Sequence, residues 1–344
     1  MAWSFGDSFD LYAAAADMAN NYWDPPATPP SFVTGRFAGS RAINFSGGNS
    51  TNLTKSSGVN DAVHHIVVSY LAPTVISGTA GCWIGLLDGV TAQCTVFIRN
   101  DGTIILQSGG IGGTALATYS AAFNTINTWY AFEFEIVVNN TTGSFAVRKN
   151  GNTVNDFTAT SLNTRPTSTN NYANKVQLGT VTSNPNVAID DFFWQSGAAT
   201  GNWLGDIRCY ARMPVSDVQK QFTPLSGTTN FSQVNEAQQN ALTSYVFDSN
   251  PGDADFYGIA SIASTPAQVI ATVTRAYMQK SDAGTRTAAV QLKSGATTVA
   301  SPTLTLSSSG WLWAWRTDLT DPNTGAAWTP AAVNNAQIGP VTIG

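Results

Sequence analysis

Short runs of β-branched and aromatic residues recur along the chain, and turns rich in glycine and asparagine separate them. The pattern is clearest in residues 129–138, where Phe132, Phe134 and Ile136 alternate with two glutamates. A period of two places the three apolar side chains on one face of an extended strand. Asn100-Asp101-Gly102 between two such runs predicts a hairpin turn. Many short strands at this spacing predict an all-β chain built from sandwiches.

Composition excludes several classes of function. Charged residues make up 11% of the 344 residues, well below the usual value of about 25%. The net charge is −5 and no basic cluster is present, so the sequence predicts no nucleic-acid partner. It also predicts no membrane span, because no apolar run approaches the necessary length of about 20 residues. The first basic residue is Arg36, which argues against a secretory signal and predicts folding inside a cell.

The strand pattern is interrupted in the middle of the chain. Pro214, Pro224, Gly227 and the Gln/Asn-rich run 233–240 predict a long irregular connection. We therefore expect a first sandwich over residues 1–205, an irregular connecting segment over 206–241, and a smaller C-terminal β-sandwich over 242–344. Residues 204–208 are predicted as a last strand before the connection. A short helix is expected after Thr329, an N-cap residue that precedes a proline.

Two sets of segments resemble known proteins. In the first 200 residues they are Trp129-Tyr130-Ala131-Phe132-Glu133, Asn150-Gly151 and Ile189-Asp190-Asp191-Phe192. This part of the chain resembles a concanavalin A-like, laminin-G-like jelly roll. Later segments are Leu204-Gly205-Asp206-Ile207-Arg208, Gln221-Phe222-Thr223-Pro224, Thr243-Ser244-Tyr245-Val246, Arg275-Ala276-Tyr277, Asp282-Ala283-Gly284-Thr285-Arg286 and residues 321–329. They resemble the second half of a set of tailed-bacteriophage virion proteins.

The resemblance implies a non-enzymatic virion structural protein with a lectin-like fold and no cofactor. Such a protein is displayed on the particle as a capsid decoration or at the neck or tail, after assembly in the host cytoplasm. Its partners would be other virion proteins and copies of itself. The alternative is a carbohydrate-binding or host-receptor-binding module of a tail fibre or appendage, with a host surface glycan as its partner. Fold alone does not decide between them.

A row of tryptophans is the candidate contact site. Trp311, Trp313 and Trp315 stand at every second position, so a strand places all three on one face. In line, they could form a platform for a glycan. Leu312 and Ala314 make the opposite face apolar as well, and a strand with two apolar faces favours burial in a sandwich or under a neighbouring subunit. We expect the row to be mostly buried.

Glu133 and Glu135 are the only pair that raises the question of catalysis. Two steps along a strand separate their Cα atoms by about 6.6 Å, close to the carboxyl spacing of about 5–5.5 Å in retaining glycosidases. The next residue on their face is Val137 rather than a third acid. The sequence therefore predicts two glutamates on a solvated strand face and no catalytic residues.

Three further features have structural interpretations. Asp321-Pro322-Asn323-Thr324-Gly325 predicts a β-turn, and Ala332 stands where a calcium loop needs a glutamate, so no metal site is expected. His64 and His65 must point to opposite faces of a strand, one buried and one exposed. Cys82 and Cys94 flank a turn and could face each other, although a reduced pair of core residues is favoured.

Overall fold

The protein divides into two compact β units. The computed structural model describes residues 3–24, 30–44, 52–72, 75, 78, 80–166, 168–181, 187–240, 242–262 and 266–344. Unit 1 comprises Met1–Asp10 and Trp23–Cys209, and unit 2 comprises Leu11–Tyr22 and Tyr210–Gly344. Each unit is organised around antiparallel sheets.

Unit 1 is a jelly-roll sandwich. Its described strands are β1 (Trp3–Asp7), β2 (Ser31–Thr34), β3 (Arg41–Asn44), β4 (Asn52–Asp61), β5 (Val63–Leu71), β6 (Gly81–Asp88), β7 (Thr91–Arg99), β8 (Ile104–Ser108), β9 (Ala115–Tyr119), β10 (Trp129–Val137), β11 (Gly143–Lys149), β12 (Phe157–Leu162), β13 (Ala173–Val181) and β14 (Ala188–Ser196). The large sheet has the order β12-β11-β10-β5-β14-β3-β2, and β1 also pairs with β14. The small sheet has the order β4-β13-β6-β7-β8-β9. The prediction of an all-β fold that begins with a concanavalin A-like jelly roll is confirmed.

The core of unit 1 lies between the inner faces of these two sheets. Phe132 and Phe134 are 0% exposed and Ile136 is 1% exposed, so the alternation in β10 identifies its inner face correctly. Phe134 stacks on Phe145 of the neighbouring strand, with ring centroids 6.0 Å apart. Each large apolar side chain buried in this way contributes about 1.5–3 kcal/mol.

The Asn150-Gly151 turn follows β11 as the sequence predicts. Asn150 has a φ of 52° and Gly151 a φ of 73°, the left-handed region that asparagine and glycine tolerate best. The side-chain Oδ1 of Asn150 accepts a hydrogen bond from the backbone N–H of Ala131 at 3.0 Å. The turn therefore fixes the end of β11 against the start of β10.

Unit 2 has one larger sheet and two small ribbons. Its described strands are β15 (Pro214–Gln219), β16 (Thr223–Pro224), β17 (Val246–Phe247), β18 (Phe256–Ile259), β19 (Thr272–Met278), β20 (Thr287–Ser294), β21 (Thr297–Ala300), β22 (Leu304–Thr305), β23 (Leu312–Asp318) and β24 (Gln337–Thr342). The larger sheet has the order β15-β18-β24-β20-β21, with β22 on β20, and the ribbons are β16-β17 and β19-β23.

The described helices are short. Two are 3₁₀ helices, Ala15–Ala19 and Phe231–Gln233, and one is the α-helix α1, Pro330–Asn335. The side chain of Thr329 accepts a hydrogen bond from the Ala332 N–H at 3.0 Å, and Pro330 occupies the first turn. The cap predicted at Thr329 is therefore present.

The observed units differ from the sequence-based boundaries. Leu11–Tyr22 belongs to unit 2 rather than to the first sandwich. Residues 210–241, expected as part of a connecting segment, also belong to unit 2, where β15 pairs with β18. Residues 204–208 form no strand. These differences arise from contacts between residues far apart in sequence, which a local pattern does not show.

A buried carboxylate binds part of the segment that the sequence predicts as an irregular connection. Asp255 is 0% exposed, and its Oδ1 accepts hydrogen bonds from the backbone N–H groups of Gln221 at 2.7 Å and Phe222 at 2.9 Å. Its Oδ2 accepts from Asn230 Nδ2 and from the Tyr257 hydroxyl, both at 2.6 Å. Four donors on one buried carboxylate compensate for its desolvation, so Asp255 fixes the proline-rich segment in addition to the pairing of β15 with β18.

Candidate functional site

The tryptophan row, defined as Trp311, Trp313 and Trp315, lies in unit 2, where Trp311 directly precedes β23 and the other two lie within it. Trp313 is 4% exposed, while Trp311 and Trp315 are half-buried. The indole Nε1 of Trp313 donates to the Asp17 carbonyl at 3.0 Å, and that of Trp315 donates to the Asn21 carbonyl at 2.9 Å. The burial expected of the row is observed most fully at Trp313. Its contact with a glycan or a neighbouring subunit remains a prediction.

The segment Leu11–Tyr22 covers the row and also the edge of its strand. The backbone N–H of Trp313 donates to the Asn20 carbonyl at 2.7 Å, and Asn21 Nδ2 donates to the Trp313 carbonyl at 2.9 Å. Tyr12 and Tyr22 are both 0% exposed. Because β19 and β23 form only a two-stranded ribbon, which is marginal alone, this segment supplies part of its support.

The other face of β23 packs inside unit 2. Ala314 is 2% exposed and belongs to a buried cluster with Met278, Ala288 and Val290. The strand is therefore apolar on both faces because the core covers one face and residues 11–22 cover much of the other. Packing within unit 2 thus explains why both faces are apolar, without a bound sugar.

The predicted turn at Asp321 is present and is stabilised by hydrogen bonds between its own residues. Asp321 Oδ1 accepts from the Asn323 N–H at 2.9 Å, and the Gly325 N–H donates to the Asp321 carbonyl at 2.8 Å. Trp328 after the turn is 3% exposed and packs in a cluster with Val333 of α1. Across the described part of the chain, no group of three or more His, Cys, Asp or Glu side chains could hold a metal ion.

The two glutamates of β10 lie under the strap, which we define as residues 199–209. Glu133 is 3% exposed and Glu135 is 8% exposed, so the solvated face expected for them is wrong. Glu133 Oε2 accepts from the Gly205 N–H at 2.9 Å, and its Oε1 accepts from the Leu204 N–H. Glu135 accepts from the Gly201 N–H. Burial raises the pKa of Glu133, and its two backbone donors oppose that shift.

Further contacts hold the strap against the large sheet. The guanidinium of Arg36 forms a two-pronged ion pair with Asp206, whose longer contact is 2.7 Å. The guanidinium of Arg148 lies 4.2 Å from the ring centroid of Trp203. The residues predicted as a strand therefore have irregular backbone whose N–H groups bind side chains instead of a neighbouring strand.

Both histidines are buried. His64 and His65 are 0% exposed, which corrects the expectation that one of them faces solvent. His64 Nε2 lies 2.9 Å from the Asp61 carbonyl, and Trp194 Nε1 donates to His64 Nδ1 at 3.2 Å. Burial lowers the pKa of His64 to about 4. His65, whose pKa burial also lowers, is covered because its Nε2 lies 3.1 Å from the Ala199 carbonyl in the strap.

Asp190 and Asp191 form a buried carboxylate pair at a bulge in β14. The register of β14 against β5 shifts at this point, and Asp191 has a φ of 48°. Asp191 Oδ1 accepts from the Cys209 N–H at 2.8 Å, and its Oδ2 accepts from Ser69 Oγ at 3.2 Å. Burial, followed by the charge of Asp190, raises the pKa of Asp191 to about 7. Like the glutamates, Asp191 anchors the strap.

The cysteines are not placed to pair. Cys82 lies opposite Ile98 and Cys94 lies opposite Leu86 in the β6-β7 hairpin. Both are buried and, like Cys209, free. Burial raises the pKa of the Cys94 thiol to about 12, which disfavours its nucleophilic thiolate form.

A cleft of about 430 Å³ lies on the outer face of the small sheet, and sequence reasoning missed it. Its lining residues are uncharged and consist of Trp83, Phe97, Gln107, Ile111, Gly112, Thr180 and Val181. Trp83 is 8% exposed and Phe97 is 7% exposed. The sequence of β6 indicates the cleft in part, because Gly81 and Gly85 flank Trp83 on the same face and leave space beside its indole. The register that brings Phe97 beside it was not visible in the sequence.

The structure contains no helix among the described residues that is long and apolar enough to cross a membrane. No protein-family model matches the chain, and no curated protein matches it.

Several solved structures of lectin-like and carbohydrate-binding domains are similar in fold to part of this chain. Domain 4 of AbnA, a GH43 extracellular arabinanase from Geobacillus stearothermophilus, is 15% identical with a TM-score of 0.34, covering 58% of this chain and 84% of that one. The galectin LEC-6 of Caenorhabditis elegans is 16% identical with a TM-score of 0.29, covering 44% and 93%. The CBM2 module of the evolved Dit of Lactobacillus casei BL23 phage J-1 is 10% identical with a TM-score of 0.34, covering 61% and 92%. Scores this low carry no argument about function.

Proposed function

We propose that this chain is a non-enzymatic structural protein displayed on the surface of a bacteriophage virion, as a capsid decoration or at the neck or tail. Its partners are other virion proteins and further copies of itself. The proposal begins with the resemblance of residues 204–329 to virion proteins. The observation that carries it further is the role of one of these segments within unit 1. Leu204–Arg208 is held on the large sheet by Glu133, Arg36 and the other strap contacts, so it has a structural role.

The same contacts favour a role without catalysis. A general acid or base needs a free carboxyl oxygen within reach of a substrate. Both oxygens of Glu133 accept backbone N–H groups, Glu135 accepts a third, and the strap lies over them. His64 uses both ring nitrogens inside the protein. The groups that could support acid–base chemistry are thus used to fix the fold.

The direct test is the location of the chain in purified particles. Mass spectrometry of gradient-purified virions should detect it at a fixed ratio to the major capsid protein, and a reconstruction should place both β units on the outside. Its absence from intact particles, with abundant free protein in the lysate, would refute the proposal. For the non-enzymatic part, purified protein incubated with host polysaccharides should release no reducing ends.

A second candidate function is carbohydrate or host-receptor binding by a tail fibre or appendage. The observation that favours it is the uncharged cleft with an aromatic floor on the small sheet. A glycan array probed with the purified chain tests this function. Binding to host polysaccharides would support it, whereas silence across the array would favour a purely structural role.

A further inference from the structure

We propose that the cleft on the small sheet binds an uncharged saccharide of one or two sugar rings. The proposal rests on the second candidate function and gives it a site, a ligand class and a set of residues. It differs from the alternative of a glycan platform on the tryptophan row, and it lies on the sheet opposite to the one that carries Glu133 and Glu135.

Strand register builds the floor of the cleft. Trp83 of β6 lies directly opposite Phe97 of β7, and Phe97 lies opposite Ile105 of β8. These three side chains share the outer face of the small sheet and are 7–9% exposed. Their neighbours on the inner face, such as Ile84 and Ile98, are at most 1% exposed. The outer row therefore lies outside the sandwich core and leaves a small apolar fraction of each side chain accessible.

The flat orientation of Trp83 depends on a glycine in the next strand. Gly179 of β13 lies opposite Trp83, and a Cβ at this position would come within 2.6 Å of Trp83 Cζ2 and 2.5 Å of Asn52 Oδ1. The indole therefore extends across the backbone of β13. Asn52 Oδ1 is buried and has no hydrogen-bond partner, so a polar acceptor stands beside the aromatic floor.

A glycine-rich loop, residues 108–114, forms one wall. Gly109 and Gly112 have φ values of 70° and 86°, which allow the tight path that carries Ile111 to the cleft. The Gly112 N–H donates to Gln107 Oε1 at 3.1 Å, and this bond holds the amide of Gln107 in the lining. The loop thus combines an apolar side chain with a fixed amide at the mouth of the cleft.

The chemistry of the lining selects the ligand class. None of the described lining residues carries a charged side chain, so an ionic ligand would lose its hydration without a partner among them. Aromatic faces carry negative charge density that attracts the polarised C–H groups on a sugar ring, and the Gln107 amide can bind hydroxyl groups. The volume of about 430 Å³ is at the lower end of ligand sites, about 300–1,000 Å³, and suits a small saccharide.

The test is titration of the full-length chain with defined sugars. Maltotriose and N,N′-diacetylchitobiose serve as neutral probes and digalacturonate as a charged counterpart. Saturation-transfer NMR and calorimetry up to about 20 mM detect millimolar dissociation constants. We expect saturable binding of at least one neutral probe and none of digalacturonate. Phe97→Leu should weaken that binding roughly tenfold or more.

A matched pair of aliphatic variants separates a loss of sugar binding from a loss of folding. Ile111 is 39% exposed in the cleft wall, and Val90 is 91% exposed in the β6-β7 turn outside it. Ile111→Ala should weaken sugar binding, while Val90→Ala should leave it unchanged, with equal melting temperatures for both. No saturable binding of either neutral probe, or equal binding by all variants, would overturn the proposal. Neither outcome would bear on the presence of the chain in virions, which particle composition tests separately.

Discussion

Replacement of Asp191 by asparagine should stabilise unit 1 at neutral and alkaline pH. Asparagine tolerates the left-handed backbone at φ 48° as well as aspartate does. Its Oδ1 can accept the Cys209 N–H and its Nδ2 can donate to Ser69 Oγ, so both hydrogen bonds of the carboxylate have a counterpart. The substitution removes the negative charge that burial and Asp190 disfavour.

The magnitude follows from the pKa of Asp191, which is raised from 3.8 to about 7. A raised pKa means that the folded state binds the proton more tightly than the unfolded chain does. The stabilisation from this group is therefore complete below pH 3.8 and is lost as the pH rises through about 7. This rise in pKa corresponds to an upper limit of about 4 kcal/mol, and a weaker hydrogen bond to Cys209 offsets about 1 kcal/mol of it. We expect a net gain of about 1–3 kcal/mol at alkaline pH.

Thermal and urea unfolding of wild type and Asp191→Asn, at a pH near 4 and a pH near 8, measure this difference. The variant should be more stable than the wild type at the higher pH, and equally stable or less stable at the lower pH. Asp282→Asn serves as the control because its carboxylate is exposed in a surface ion pair. Asp190→Asn/Asp191→Asn should gain less than the sum of the single variants, since either change relieves the repulsion. Equal destabilisation at both pH values would refute the electrostatic argument.

Three further variants test the other buried contacts. Trp313→Ala should lower the free energy of unfolding by about 3–5 kcal/mol; a fully stable variant that loses binding to a host polysaccharide would instead support a sugar platform. In Glu133→Gln the new side-chain NH2 faces one of the two backbone N–H groups that the carboxylate binds, so one hydrogen bond is lost. The free energy of unfolding should fall by about 1–3 kcal/mol and proteolysis within the strap should become faster. An unchanged rate of cleavage would contradict this. Asp255→Asn should destabilise unit 2 by a similar amount in urea unfolding, whereas Asp248→Asn should not.

Patterns within single strands were predictable from the sequence. The inner face of β10 was identified because Phe132, Phe134 and Ile136 follow the period of a strand that has one face in the core. The Asn150-Gly151 turn and the cap at Thr329 were identified because each depends on a few adjacent residues. All three signals are local, and local chemistry is sufficient to specify them.

The candidate sites depend on contacts that no local pattern carries. Glu133 was expected in solvent because nothing near it in sequence indicates that the backbone at Leu204 and Gly205 covers it. The packing of Leu11–Tyr22 on the tryptophan row joins residues almost 300 positions apart, as in the bond from Trp313 to Asp17. The cleft depends on the register between β6 and β7. In each case the position of a partner strand or segment determines whether the side chain is buried or exposed.

The two outer faces of unit 1 therefore differ in what they can bind. On the large sheet, Glu133, Glu135 and Asp191 use their oxygens on the strap, and a ligand would have to displace at least four backbone hydrogen bonds to charged groups. Hydrogen bonds to charged groups contribute about 1.5–3 kcal/mol each, a cost that a weakly bound sugar could not meet. On the small sheet, the cleft over Trp83 and Phe97 requires no such displacement among the described residues. Recognition by unit 1, if it uses a sheet face, is expected on the small sheet, and strap variants such as Glu133→Gln should leave sugar binding intact.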